Sequence, residues 1–173
     1  MQADEFNSDL PWMTEEIKNK IRHRDKIVNH QDMEGLFLLT DNDDFSTALY
    51  EILNNQCGYK PDTLNPRQRV LFLCMHLENA GQADGILSFL QEGFPEYASE
   101  AVNALNEIGA TKSATIIKQA VDLLPENGNW FFDNADEDSQ KLMSKLDGEF
   151  SSYPDGPLRD LYRKYADIHR NDF

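Results

Sequence analysis

The sequence predicts an all-α protein, and three observations carry that prediction. Apolar residues recur at helical spacing in segment after segment. Glycines and prolines fall where those segments end or begin. No run shows the period-two alternation of a half-buried strand. The rhythm is one of successive helix–turn–helix units without an exact repeat, organised around residues 77–125 and punctuated there by Gly81, Gly93, Pro95, Gly109 and Pro125. With 173 residues, 40% of them apolar, the chain can bury one good core, so residues 1–173 are expected to form a single domain.

Residues 1–12 read as a polar lead-in from which Phe6, Leu10 and Trp12 can dock. Thr14 suits an N-cap, with Glu15 and Glu16 in a first turn that favours anions, and the helix should run to about His30 with Ile17, Ile21 and Val28 on one face. Lys18, Lys20, Arg22, Arg24 and Lys26 make this the basic segment. They read as a solvated face pairing with nearby acids, or as a contact surface for an acidic patch, for instance in a second copy. Residues 31–43 are expected to be an irregular link with a short apolar segment, Leu36 to Leu39. Asp43 or Asp44 should then cap a helix that carries Phe45, Ala48, Leu49, Ile52 and Leu53 and stops at Gly58.

After the turn-rich stretch GYKPDTLN, Asn65 followed by Pro66 is a strong helix start leading into Val70, Leu73, Cys74 and Leu77. In the central helix Pro95 suits the first turn. Tyr97, Ala98, Ala101, Val102, Leu105 and Ile108 share one face, Glu96, Glu100, Asn103 and Glu107 the other, and Gly109 ends it. The next helix starts at Thr111 and carries Ala114, Ile117, Val121 and Leu124 up to Pro125. Residues 126–138 read as an exposed loop around an anchored aromatic cluster of Trp130, Phe131 and Phe132. A short helix should cover 139–147, and Pro157 should open a last one with Leu158, Leu161, Tyr162, Tyr165 and Ile168 inward.

Charge narrows the function. Thirty-one acidic against sixteen basic residues leave a formal −15, which argues against direct binding to nucleic acid or an anionic membrane and favours a cationic partner. From residue 70 to 138 the only basic residues are Lys112 and Lys118, against twelve acidic ones. A compact chain of this length has a radius of gyration of roughly 16 Å, hence a diameter near ~40 Å. Duplex DNA of that length carries roughly 24 phosphates, about half on any one face. The protein's charge is of that order. Carboxylates four residues apart on a helix rise about 6 Å, a spacing that the basic side chains of a DNA reader could bridge. The candidate contact residues are Asp84, Glu92, Glu96, Glu100, Glu107, Asp133, Asp136, Glu137 and Asp138.

Catalytic and metal patterns are weak. Asp41, Asp43 and Asp44 start like a calcium loop, but Phe45, Ser46 and Ile52 stand where an oxygen ligand, a glycine and the bidentate Glu belong; Asp133 to Asp138 fails at Ala135. His23, His30, His76 and His169 lack ligand spacing to one another or to Cys57 and Cys74, and Cys74 reads as a buried thiol. Neither a phosphate-cradling glycine loop nor a nucleophile elbow occurs, so no cofactor, metal or turnover is expected. The stretch MQADEFNSDLPW lacks signal-peptide regions and no apolar run approaches a bilayer span, so a cytoplasmic protein away from membranes is expected.

Asn79-Ala80-Gly81, Ile86, Phe89 and the run ALNEIGA (Ala104 to Ala110) resemble a bacterial DNA-mimic protein family. The ending is similar too, in Leu146-Asp147, Phe150, Leu161, Tyr165, Asn171 and Phe173. The resemblance covers residues 66–173, the family's helical core, and leaves 1–65 as poorly matched N-terminal helices and linker. Ala80 departs from it, where many members carry a second glycine, and so does Gly93, where an Asn is expected nearby. The resemblance implies an all-α protein, often a homodimer, whose acidic surface occupies the DNA-binding face of a transcription factor or another basic DNA-binding protein. The alternatives are an immunity-type protein neutralising a basic toxin through the same face, and a metal-dependent enzyme, which needs carboxylates converging in a pocket.

Overall fold

Side-chain caps open five of the helices in the computed structural model, which describes residues 13–173; the lead-in with Phe6, Leu10 and Trp12 lies outside them. Helix α1 (Glu15–His30) begins where the Thr14 hydroxyl accepts a hydrogen bond from the Ile17 N–H. Asp32 caps α2 (Met33–Leu38) through the Gly35 N–H, so the expected irregular link contains a short helix, with Leu36 and Phe37 buried. Helix α3 (Asn42–Cys57) is capped by Asp41 rather than by Asp43 or Asp44: the Asp41 carboxylate accepts from both of their N–H groups, at 2.9 and 3.1 Å. Asp43 and Asp44 then fall in the first turn, where the helix dipole favours them. Gly58, at φ +52°, stops the helix as expected.

Helix α4 (Pro66–Ala83) opens on a reciprocal capping box between Asn65 and Gln68. It runs straight through Gly81, which was expected to end it. A Cβ there would lie 3.0 Å from the Phe150 ring, so the glycine serves close packing instead. A wide π-type turn (Ser88–Gly93) and a 3-10 turn opened by Pro95 (Pro95–Tyr97) follow. Helix α5 (Ala98–Glu107) therefore starts three residues after Pro95. Gly109, at φ +92°, turns the chain into α6 (Thr111–Asp122). Helix α7 (Phe131–Asn134) is one turn of the expected loop. Asp136 caps α8 (Glu137–Ser151) through the Ser139 N–H, which starts that helix earlier than expected, and α8 also ends later. In α9 (Leu158–Ile168), Leu158, Tyr162, Tyr165 and Ala166 face inward, whereas Ile168, expected inward, is 67% exposed in the last turn.

Among the described residues there is no strand, and the all-α class holds. Helix α4 is the axis: α3, α5, α8 and the π-type turn pack on it, α6 pairs with α5 and α8, and α9 lies on α3. The buried apolar side chains form one contiguous cluster from Ile27 to Ala166. Arg163 fastens α9 to the N-terminal helices, donating to the carbonyls of Leu39 (2.6 Å) and Phe37 (3.1 Å) while standing over the Phe45 ring.

Helix α6 lacks a cap of its own, and Asp155 supplies one from the α8–α9 loop. Its carboxylate accepts from the Lys112 and Ser113 N–H groups (3.1 and 2.7 Å) and from the buried Ser113 hydroxyl (2.8 Å). Burial opposes ionisation, yet these hydrogen bonds prevail and hold the carboxyl below its ordinary value of 3.8. Asp155→Ala should therefore cost about 1–3 kcal/mol, the usual penalty for stranding buried donors. Because the folded-state pKa is depressed, the wild-type advantage should be full above 3.8 and lost as pH falls through the folded value. Urea unfolding of both proteins across that range measures it.

Candidate functional site

The sequence-predicted carboxylates fall into three groups with different degrees of freedom. The first is the row on and before α5. Glu96 is exposed and makes no ion pair among the described residues. Glu100 and Glu107 are engaged: Arg69 Nε lies 2.7 Å from Glu100, and Arg67 donates to Glu107. Arg69 also pairs with Asp62 at 3.0 Å. Tyr165 donates its hydroxyl to the same Glu107 oxygen, and burial followed by that carboxylate pushes the phenol up to about 12. Both arginines stand in the first turn of α4, where the Asn65–Pro66 start places them against α5. The row is thus neutralised at two of its three acids.

The second group lies around the start of α8. Asp136 is the α8 cap, and the Ser139 N–H holds its carboxyl below the ordinary range. Glu137 pairs with Lys141 at 2.7 Å across one turn. Asp133 and Asp138 are exposed and outside any ion pair among the described residues.

The third group is Asp84, where α4 ends, and Glu92, in the π-type turn; both are exposed. They border a hollow of about 270 Å³ that is also lined by Trp130, Phe132, Met143 and Asp147. Asp147 was carried by the family resemblance alone. Its carboxylate accepts from the Ile86 N–H at 2.8 Å and so fixes the turn after α4.

Sequence reasoning missed Glu78. It projects from α4 into a cavity of about 360 Å³ lined by Ser46, Tyr50, Tyr153, Arg159 and Tyr162. The Tyr162 hydroxyl donates to it at 2.8 Å. Burial nevertheless raises the Glu78 pKa, with Tyr162, Tyr153 and Arg159 opposing the rise and Asp43 adding to it. The only signal in the sequence was a Glu soon after the apolar run from Val70 to Met75. His76, two residues before Glu78 and set among the Phe72, Phe89 and Phe94 rings, shares a 2.7 Å hydrogen bond with the Tyr50 hydroxyl, and burial lowers its pKa.

On α1, Lys18 and Arg22 lie 3.3 and 3.9 Å from Glu15, and Arg24 lies 3.9 Å from Asp44. Cys57 and Cys74 are buried free thiols. Among the described residues no three His, Cys, Asp or Glu side chains converge as metal ligands would, and no helix is long and apolar enough to cross a membrane.

An all-α protein with carboxylates spread over its outer helices, some bridged by its own arginines and some unpaired, has the form of an acidic interaction protein. Residues 62–171 match the model of the DMP19-like protein family, and the chain belongs to that family. It is a family of DNA mimics, which work by binding DNA-binding proteins rather than by catalysis. No curated protein and no solved structure matches the chain.

The division between free and engaged acids is measurable. Glu96→Ala should change stability by less than about 0.5 kcal/mol. Glu107→Ala should cost about 1–3 kcal/mol, because it removes the acceptor of the part-buried Tyr165 O–H and the carboxylate paired with Arg67. Equal midpoints in urea for these two variants would contradict the assignment.

Glu78 predicts a pH dependence of its own. A carboxyl raised in the folded state stabilises fully below its unfolded value of 4.5, and that contribution fades as pH rises through the folded value. The stability of wild type relative to Glu78→Gln should therefore decline as pH rises from 4.5 and then level off. A flat difference in unfolding midpoints across a pH series would contradict it.

Proposed function

We propose that the chain occupies the DNA-binding face of a basic transcription factor, or of another basic DNA-binding protein, and blocks its access to DNA. One observation supports this reading beyond family membership: Asp84, Glu92, Glu96, Asp133 and Asp138 are exposed carboxylates outside any ion pair among the described residues. Such groups keep their full attraction for an approaching cation, and their summed field steers a basic surface inward. Glu100, Glu107 and Glu137 join the contact by exchanging an internal partner for an external one, and Asp136 contributes while it holds the α8 start. The resulting array stands in for phosphates, in a cytoplasmic setting.

The test is competition. Affinity capture at low salt identifies a basic partner, and electrophoresis then follows that partner's own DNA as this protein is added. The DNA should be released, the protein alone should shift no DNA, and the complex should weaken steeply between about 50 and 500 mM salt, because charge pairs dominate it. A ternary complex that retains the DNA, or a complex indifferent to salt, would overturn the reading.

A further inference from the structure

Exposed aromatic side chains are unusual on a surface this acidic, and two of them flank three carboxylates. Trp130 is 36% and Phe132 43% exposed, with ring centroids 6.1 Å apart. Between them Phe131 is fully buried, and its N–H donates to Gln91 Oε1 at 2.9 Å. Gln91 Nε2 in turn donates to the Asn129 carbonyl at 3.0 Å. The loop is thus anchored by the buried Phe131 ring and by two Gln91 bonds that bracket Trp130, while the rings of Trp130 and Phe132 stay at the surface.

Those rings line the hollow of about 270 Å³ together with Asp84, Glu92 and Asp147, and no basic residue lines it. Buried Met143 contributes an apolar wall. Water contact with two large rings is unfavourable, and three carboxylates repel one another; one planar cation with apolar faces relieves both.

The chain already makes that combination internally. Arg163 stands 4.5 Å over the Phe45 ring while pairing with Asp167 at 3.0 Å, and Arg170 stands 4.7 Å over Phe37. We propose that the hollow bounded by Asp84, Glu92, Asp147, Trp130 and Phe132 is a socket for one arginine side chain of the basic partner. The guanidinium stacks against the exposed rings and donates to the carboxylates. Arginine fits better than lysine because its head is planar, more weakly hydrated and able to grip a carboxylate with two donors. A polypeptide fits better than a free amino acid because Asp133, Asp136, Glu137 and Asp138 follow Phe132 directly in the chain, and Gln140 of α8 bonds back to the Phe132 and Ala135 carbonyls. Further basic residues beside the first therefore meet further acids.

This inference rests on the proposed function and names the anchor of that contact. The probe is an acetylated hexa-arginine peptide, compared with hexa-lysine and free arginine, in full-length protein carrying Trp12→Phe so that Trp130 is the sole indole. Hexa-arginine should change Trp130 emission saturably and bind several-fold more tightly than hexa-lysine, and free arginine should bind far more weakly. Phe132→Leu and Asp84→Asn should each weaken hexa-arginine about three- to tenfold, as expected for losing a ring or a carboxylate from one guanidinium. Unchanged melting curves show that the variants fold. Asp122→Asn, in an acid paired with Lys118 at 2.7 Å and outside the socket lining, should bind like wild type. Equal affinity for the two peptides, free arginine matching hexa-arginine, or Phe132→Leu binding like wild type would overturn the socket. Any of these would leave the DNA-competition result standing, so the two readings fail separately.

Discussion

Burial of α4 on nearly every side is the constraint on which the rest of the structure depends. Leu71, Phe72, Leu73, Cys74 and Met75 are five consecutive buried residues, so this helix has no solvated stripe. A helix enclosed in this way must place its charges at its ends or satisfy them inside. Arg67 and Arg69 stand at its start and Asp84 at its end; in between, Glu78 meets Tyr162 and His76 meets Tyr50. The surrounding helices each give α4 or its neighbours an apolar face and turn their charged faces outward. The acidity of the surface is therefore a property of the outer layer, and the core neither requires nor suffers it.

The same enclosure sorts the acids. Carboxylates close to the arginine end of α4 are neutralised, as Glu100 and Glu107 are, whereas those near its other end, Asp84 and Glu92, meet no cation. The polarity of one buried helix thus gives the molecule a quieter and a more strongly negative side. The family motifs serve this frame. Ile86, Phe89, Leu105, Ile108, Leu146 and Phe150 are all buried, Gly81 admits the Phe150 ring, and Asp147 fixes the turn after α4. These motif residues specify the scaffold.

How much was legible follows from the range of each interaction. Helical spacing and the Asn65–Pro66, Thr14 and Gly58 signals act within a few residues, so the class and most helix positions were readable. The cap of α3 was misplaced by only two or three residues, because Asp41, Asp43 and Asp44 are chemically identical and only backbone geometry chooses among them. Gly81 was misread since a glycine that ends a helix and one that admits a ring look alike in sequence. The pairing of Glu107 with Arg67 joins residues 40 apart, and the cap that Asp155 lends to α6 spans a similar distance. Such contacts are products of the tertiary fold, with no local pattern to announce them. Of the aromatic cluster read as anchored, only Phe131 is buried; Trp130 and Phe132 stay exposed, and their meeting with Asp84 and Glu92 was not visible for the same reason.

Arg67 and Arg69 also separate this surface from duplex DNA itself. Duplex DNA holds a condensed atmosphere of small ions, and a protein that binds it gains entropy as those ions disperse. The countercharges beside Glu107 and Glu100 are covalently tethered guanidinium groups, which remain part of the molecule when displaced. Their displacement disperses nothing into the solvent. On this flank the ionic atmosphere is written into the polypeptide, and a cation that displaced it would gain from fitted contacts instead of from ions set free.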